Sequence, residues 1–145
     1  MKKFIAFTSA LVLSISCFTA CGDKEDKDKN SSSSSISKSE LDQSASSISK
    51  AFTSAFTEKD GEIKENGIIA SDGTCTISEN PTIITDTALK YFMDLNEYKW
   101  ICVEKDCLAK EVYIAESWSD TVIGTYPETI DTKGKTLSEI KDSLN

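Results

Sequence analysis

The chain of 145 residues contains no histidine and no arginine, so all sixteen of its basic residues are lysine. Without histidine there can be no Ser-His-Asp triad, no Cys-His pair and no usual zinc-enzyme site. Without arginine there is no bidentate clamp for phosphate or carboxylate groups. The six glycines are scattered, so no glycine-rich phosphate loop follows a strand. These absences leave a carboxylate pair, a lysine base or a thiolate as catalytic routes, and they predict neither a metal nor a cofactor.

The charge balance is also one-sided, because 24 acidic residues against 16 basic ones give a net charge of −8. No basic patch interrupts this excess of acidic residues. A chain of this kind is repelled by nucleic acid, so we expect no nucleic-acid partner.

The N-terminus has the pattern of a secretion signal. Lys2 and Lys3 form a positive segment, and residues 4–16 are mostly apolar. A spanning helix needs about 20 apolar residues, so this segment is too short for a permanent membrane span. Residues 1–20 are therefore predicted to be a signal peptide.

The residues around the expected cleavage point predict a lipoprotein. Ala20 directly before Cys21 fits a lipobox, although Phe18 stands where leucine is usual. Cys17 is a rival site, but Ser14 fits the same upstream position less well. We therefore expect lipidation of Cys21, with the mature protein held by its acyl chains on the outer face of the cell membrane. The alternative is a secreted protein that is cleaved near Ala20 and keeps an unmodified Cys21.

The next segment, residues 21–38, combines alternating charges with five consecutive serines and has almost no apolar residues. Such a composition cannot offset the entropy of ordering, so a disordered tether is expected. Residues 39–145 then remain for one globular domain.

The hydrophobic pattern of that domain predicts an α+β fold of two layers, in which a long N-terminal helix packs on a mostly antiparallel meander and a short helix closes the chain. Ser39 to Asp42 resembles a capping box at the start of the first helix, and Gly61 supplies a stop. Asn80-Pro81 predicts a second helix, and a second capping box begins at Thr136. The expected elements are helices at about 40–59, 80–95 and 136–144, a hairpin at 68–77, and strands at 98–103, 108–115 and 121–126.

Three cysteines fall in the domain, and outside the membrane they can form one bridge. Cys102 and Cys107 flank a predicted four-residue turn, so a bridge between them is the favoured interpretation. The open alternatives are a bridge that involves Cys75, reduced thiols in the core, and redox chemistry, although redox motifs place two residues between the cysteines rather than four.

Several segments of the domain resemble the globular domains of type IV pilin-like proteins from Gram-positive gut anaerobes. They are the Ser71-Asp72-Gly73-Thr74 hairpin, the run from Trp100 to Glu128, and the strand end Gly124-Thr125-Tyr126-Pro127. The resemblance covers about residues 45–145 and implies a long helix on an antiparallel sheet, with an adhesive or accessory role. The chain departs from the pilins at its N-terminus, where a lipobox and a serine tether replace the long apolar half-helix that builds a filament.

Two classes of function follow. The favoured one is a non-catalytic, membrane-anchored surface domain that binds a cell-surface protein or an extracellular polysaccharide. Aromatic side chains stack on sugars and anchor interfaces, and Trp118 between two serines is the one most expected to be exposed. The alternative is a small envelope-acting enzyme that uses carboxylates or a thiol. The candidate ligand contacts are Trp118, Trp100, Tyr98, Tyr113 and Tyr126.

Overall fold

A computed structural model describes residues 36–59, 66–77 and 80–145. The predicted signal peptide, Cys21, most of the predicted tether and the predicted stop at Gly61 lie outside these residues. The described part has the α+β class that the sequence predicts, with helices and a four-stranded antiparallel sheet. Its helices are Lys38–Glu58 (α1), Pro81–Leu89 (α2) and Leu137–Leu144 (α3), a 3₁₀ helix covers Met93–Glu97, and the strands are Gly67–Ala70 (β1), Lys99–Lys105 (β2), Leu108–Ala115 (β3) and Gly124–Tyr126 (β4).

The first helix begins two residues earlier than expected, because Ser37 rather than Ser39 is its N-cap. The Ser37 side chain accepts from the Glu40 amide, and the Glu40 carboxylate accepts from the Ser37 amide at 2.8 Å. This is a reciprocal capping box that starts two residues before the predicted one, so the prediction for Ser39 to Asp42 is wrong. The shift frees Asp42 from capping and lets its side chain reach the sheet.

The sheet is a meander in the order β1-β2-β3-β4, with every neighbouring pair antiparallel. Its central turn is shorter than predicted. Lys105 pairs with Leu108, so the turn consists of Asp106 and Cys107, whose φ angles are 55° and 60°. Two successive residues at positive φ match the twist of the flanking strands, as in the two-residue hairpin loops of type I′.

Both faces of the sheet are buried. On one face the apolar stripe of α1 packs against the sheet, and the ring of Phe52 lies 4.8 Å from that of Trp100. On the other face Leu137 and Ile140 of α3 join Ile101 and Tyr113. The expectation of two layers is therefore wrong, because alternate residues of β2 and β3 are apolar on both sides and each side needs a cover.

Both outer strands of the sheet make hydrogen bonds outside the sheet. Along β1, the Ala70 amide donates to the Thr74 carbonyl and the Thr76 amide donates to the Ile68 carbonyl. Along β4, the Thr125 amide donates to Asp42 of α1. Since an open edge is the template for adding another strand, these contacts occupy part of the backbone with which an extended partner would pair.

The second helix starts at the predicted Asn80-Pro81 but ends at Leu89, earlier than the predicted Leu95. Its last turn tightens, because the amides of Lys90 and Tyr91 donate to carbonyls three residues back. The chain then leaves the helix at an extended Phe92 and forms the 3₁₀ helix. This change of direction brings the segment before β2 alongside α2 and so creates a groove.

Candidate functional site

The groove lies at the end of the sheet where β1 ends and β2 begins, and α2 and the 3₁₀ helix form its other walls. Its volume is about 370 Å³, and it is open to the surface. This volume lies within the range of about 300–1,000 Å³ that is typical of small-molecule sites. The polar and charged side chains of its lining are Ser71, Thr82, Thr85, Asp86, Asn96, Tyr98 and Lys99.

Two hydrogen bonds between Ser71 and Trp100 hold the bottom of the groove in place. The Ser71 amide donates to the Trp100 carbonyl at 3.0 Å, and the Trp100 amide donates to the Ser71 hydroxyl at 3.1 Å. These two bonds fix the end of β1 to the start of β2. Next to them, Gly73 takes a φ of +91°, which completes the turn after Ser71 at no steric cost.

The periodicity of α2 explains why its polar residues line the groove. Ile84, Thr87 and Ala88 are buried against the core, so the helix leaves Thr82, Thr85 and Asp86 on its more exposed side. Thr82 and Asp86 are exposed and Thr85 is half-buried. The result is a wall of two hydroxyls and one carboxylate.

The N-terminus of α2 also borders the groove, but its donors are largely used. Pro81 has no amide hydrogen, and the Thr82 amide donates to the Asn80 side chain at 2.9 Å. The groove therefore lacks the cluster of available amides with which a helix N-terminus binds anions. Its lining has one basic residue, Lys99, and one acidic residue, Asp86.

The structure distributes the five predicted aromatic contacts over several places. Tyr98 is half-buried and lines the groove. Trp100 borders the same groove but is only 2% exposed, with its ring packed on Phe52. Tyr113 is buried on the opposite face, where its hydroxyl donates to Glu111 at 2.5 Å. Trp100 and Tyr113 therefore belong to the core, and Tyr126 also packs against the α1-side core.

Trp118, which the sequence predicts to be exposed, is half-buried against the α3 side of the sheet. The Lys141 ammonium lies 4.8 Å from its ring centroid and also pairs with Asp72. This cation–π contact occupies a ring face that a sugar would need. Trp118 thus helps to hold α3 on the sheet.

The favoured Cys102–Cys107 bridge is absent. Cys102 is fully buried as a free thiol and lies opposite Val112, while Cys107 occupies the turn between β2 and β3. The predicted bridge assumed a four-residue turn with the cysteines facing each other, and the two-residue turn removes that pairing. Burial holds the pKa of the Cys102 thiol well above its usual range, so the protonated, unreactive form dominates.

A carboxylate close to these thiols is buried without a full set of partners. Glu104 is 1% exposed, and its Oε1 accepts from the Cys107 amide at 2.6 Å. Its Oε2 has no hydrogen-bond partner. Burial raises the pKa of Glu104, the Cys107 hydrogen bond lowers it in part, and the nearby Asp106 charge raises it further.

A second groove of about 310 Å³ contains two acidic residues, Glu116 and Asp120, with Val122 at its side. A carboxylate pair is the arrangement that the enzyme alternative requires. However, the two oxygens of Asp120 accept from the amide and the hydroxyl of Ser117, both at 2.8 Å. Asp120 therefore braces its own loop, and Glu116 is left as the one acid of this groove without such a role.

Within residues 36–59, 66–77 and 80–145, no three histidine, cysteine, aspartate or glutamate side chains converge as a metal site would require. No helix in this part of the chain is both long enough and apolar enough to cross a membrane.

Comparisons with known proteins give no relative from which a function could be transferred. No protein-family model, no curated protein and no solved structure matches this chain. The groove must therefore be interpreted from its own residues. Of its residues, Tyr98 and Trp100 are among the ligand contacts that the sequence predicts, whereas Ser71, Thr82, Thr85, Asp86 and Asn96 are not. The sequence signal that could have pointed to them is the polar side of the helix that begins at Asn80-Pro81.

Proposed function

We propose that this protein is a membrane-anchored surface lipoprotein whose globular domain is non-catalytic and binds a cell-surface ligand through the groove beside α2. The observation that carries the binding role is the groove itself, whose lining combines hydroxyl, amide and carboxylate groups with the side chain of Tyr98. A concave site with a few placed polar groups and an aromatic ring is typical of ligand binding. The anchor rests on the lipobox at Cys21.

The domain gives less support to the enzyme alternative. The groove lining holds a single carboxylate, Asp86, so it lacks the acid pair that hydrolysis of a glycosidic bond requires. Cys102 is buried as a protonated thiol. Binding is thus the function that needs no residue beyond those present in the groove.

The arrangement of α1 on an antiparallel meander is the one that the resemblance to type IV pilin-like domains implies. On this basis we propose an accessory or adhesive role at the cell surface rather than a role as a filament subunit. The chain carries a lipobox and a serine tether where a pilin carries its apolar half-helix.

Metabolic labelling with a fatty acid tests the anchor. The Cys21→Ala variant should lose the label, while Cys17→Ala should keep it. Label that persists in Cys21→Ala and disappears in Cys17→Ala would move the lipid to Cys17, and label in neither wild-type nor variant protein would overturn the lipoprotein assignment.

The groove is tested with the full-length protein purified in detergent, and with isolated surface polysaccharide and surface protein fractions as separate probes. Asn96→Ala should weaken retention of the ligand-containing fraction, because Asn96 is exposed in the groove lining. Asn145→Ala is the matched control, since Asn145 is an exposed asparagine outside the groove. Retention that both variants leave unchanged would show that the groove is not the binding site.

A further inference from the structure

We infer that the groove beside α2 takes a neutral, hydroxyl-rich saccharide, namely a short stretch of an uncharged glycan chain. This inference rests on the proposed binding function and names its ligand class. It depends on three properties of the groove: the types of its polar groups, the absence of an anion site, and the position of its aromatic ring.

The polar groups match those of a sugar. Thr82 and Thr85 offer hydroxyls that both donate and accept, Asn96 offers an amide that does the same, and Asp86 offers an acceptor for paired hydroxyls. The Ser71 hydroxyl accepts from the Trp100 amide and keeps its hydrogen as a donor. A sugar hydroxyl is likewise both donor and acceptor, so this set can satisfy it in either direction. Ligands with only acceptors or only donors would leave part of the set unpaired.

The electrostatics of the groove disfavour an anionic ligand. Lys99 is the single basic residue of the lining and Asp86 is there to offset it. At the start of α2, Pro81 has no amide hydrogen and the Thr82 amide is already bonded to the Asn80 side chain, and the chain has no arginine. A net charge of −8 repels a polyanion at long range as well. A phosphorylated, sulfated or uronate-rich chain would therefore meet no net positive charge in the lining.

Tyr98 supplies the apolar surface that a sugar ring requires. Its ring packs on the α1-side core, and the Ser44 hydroxyl donates to its phenol oxygen at 3.4 Å. Contacts on the protein side reduce the entropy lost when a ligand stacks on the ring. The C–H face of a pyranose can pack against the apolar face of a tyrosine ring.

A protein partner fits this groove less well. Stable protein interfaces bury about 800 Å² on each side and centre on apolar or aromatic anchors. Here polar residues share the lining with Ala70, Pro81 and two aromatic residues. Trp100 is buried, so Tyr98 is the one partly exposed aromatic side chain of the groove. The large exposed apolar side chains of the described residues, Ile83, Tyr91, Met93, Leu108 and Val122, all lie outside it.

The test measures binding of the full-length protein to an array of neutral oligosaccharides built from glucose, mannose, galactose and N-acetylglucosamine, with uronate-containing and sulfated oligosaccharides beside them. We expect binding to at least one neutral class that changes less than twofold between low and high salt, because an uncharged ligand is not screened. Tyr98→Ala and Asn96→Ala should each weaken it about tenfold. Tyr98→Phe, which keeps the ring, should stay within about threefold of wild type, and Tyr91→Ala should bind like wild type.

Asn96 is exposed, so its variant reports on the groove even if Tyr98→Ala perturbs the core. Salt-sensitive binding to the anionic oligosaccharides alone would overturn the inference. Binding of a surface protein that Asn96→Ala abolishes, with no glycan bound, would overturn the saccharide inference and leave the proposed binding function intact. If neither glycan nor protein binding depends on the groove, both proposals fail.

Discussion

The Asp42 carboxylate of α1 accepts a hydrogen bond from the Thr125 amide of β4 at 2.8 Å, across 83 residues of sequence. This contact satisfies an edge amide that no strand covers, and it fixes α1 to the last strand of the sheet. The Lys38 ammonium bonds both oxygens of the same carboxylate, at 2.7 and 2.9 Å. The Asp42 carboxylate thus makes a partly buried hydrogen bond to the sheet and an exposed ion pair with Lys38.

Replacing Asp42 by alanine should lower stability, because the Thr125 amide would lose a charged acceptor that contributes about 1.5–3 kcal/mol. At about 4–8 °C for each kcal/mol, the melting temperature should fall by roughly 6 °C or more. Lys38→Ala is the control, since an exposed ion pair contributes less than about 1 kcal/mol. Thermal melts of the two variants should therefore differ clearly, and equal shifts would show that the ion pair rather than the Thr125 contact matters.

Gly124 allows α1 to approach β4 without a gap. A Cβ placed at this residue would lie 2.3 Å from the Leu41 carbonyl carbon and 2.5 Å from its oxygen. These are backbone atoms that cannot rotate away, so Gly124→Ala should force the helix outward and cost about 3 kcal/mol or more. Denaturant unfolding measures this cost.

Gly134→Ala makes a useful contrast for that measurement. Gly134 has open space around it but a φ of +69°, so alanine should pay only the conformational cost of about 1–2 kcal/mol. A Gly124→Ala variant no less stable than Gly134→Ala would mean that α1 and β4 are not in close contact.

Glu104 should make the domain less stable as the pH rises. Burial raises its folded-state pKa above the unfolded value, so its stabilising contribution is complete below the unfolded pKa and is lost as the pH rises through the folded pKa. Glu104→Gln keeps an oxygen that can accept from the Cys107 amide and removes the charge. The melting temperature of the variant minus that of wild type should therefore increase from acidic pH toward pH 7.

Melting temperatures measured at intervals from pH 4 to pH 7.5 check this expectation. Glu128→Gln is the control, because it removes one carboxylate from an exposed position and leaves the buried one in place. A wild-type profile that rises with pH and a Glu104→Gln profile parallel to it would refute the role given to Glu104.

The thiols should differ in reactivity toward iodoacetamide in the native protein. Cys102 is fully buried and its pKa is raised, whereas Cys107 is half-buried in the β2–β3 turn. We expect Cys107 to be alkylated at least about tenfold faster than Cys102, because only the thiolate reacts. Peptide mapping after timed quenching gives both rates, and a peptide pair linked through Cys102 and Cys107 would contradict the structure.

The local sequence was sufficient to predict several elements. The β-rich residues of Leu108–Ala115 predict β3 with its observed bounds, and Thr136 with Glu139 predicts the capping box of α3. Asn80-Pro81 predicts the start of α2. In each case the signal lies within a few residues and concerns backbone groups that must be satisfied locally.

The predictions failed where two local solutions competed. Ser37 and Ser39 both precede an acidic residue by three positions. Ser37 is the N-cap, and Asp42, the partner that Ser39 would need, accepts from the Thr125 amide instead. The turn after β2 could have had four residues or two, and the register between β2 and β3 selected two. That register separated Cys102 from Cys107.

By itself, the sequence determined the α+β class, the position of its main elements, and the chemistry that the chain lacks, since periodicity and composition carry that information directly. Tertiary structure alone decided which aromatic residues are buried and which polar residues share a groove. Trp100 and Tyr98 are two residues apart in similar contexts, yet one packs on Phe52 and the other lines the groove. The physical reason is that burial and convergence depend on contacts between elements distant in sequence, and no local pattern records those contacts.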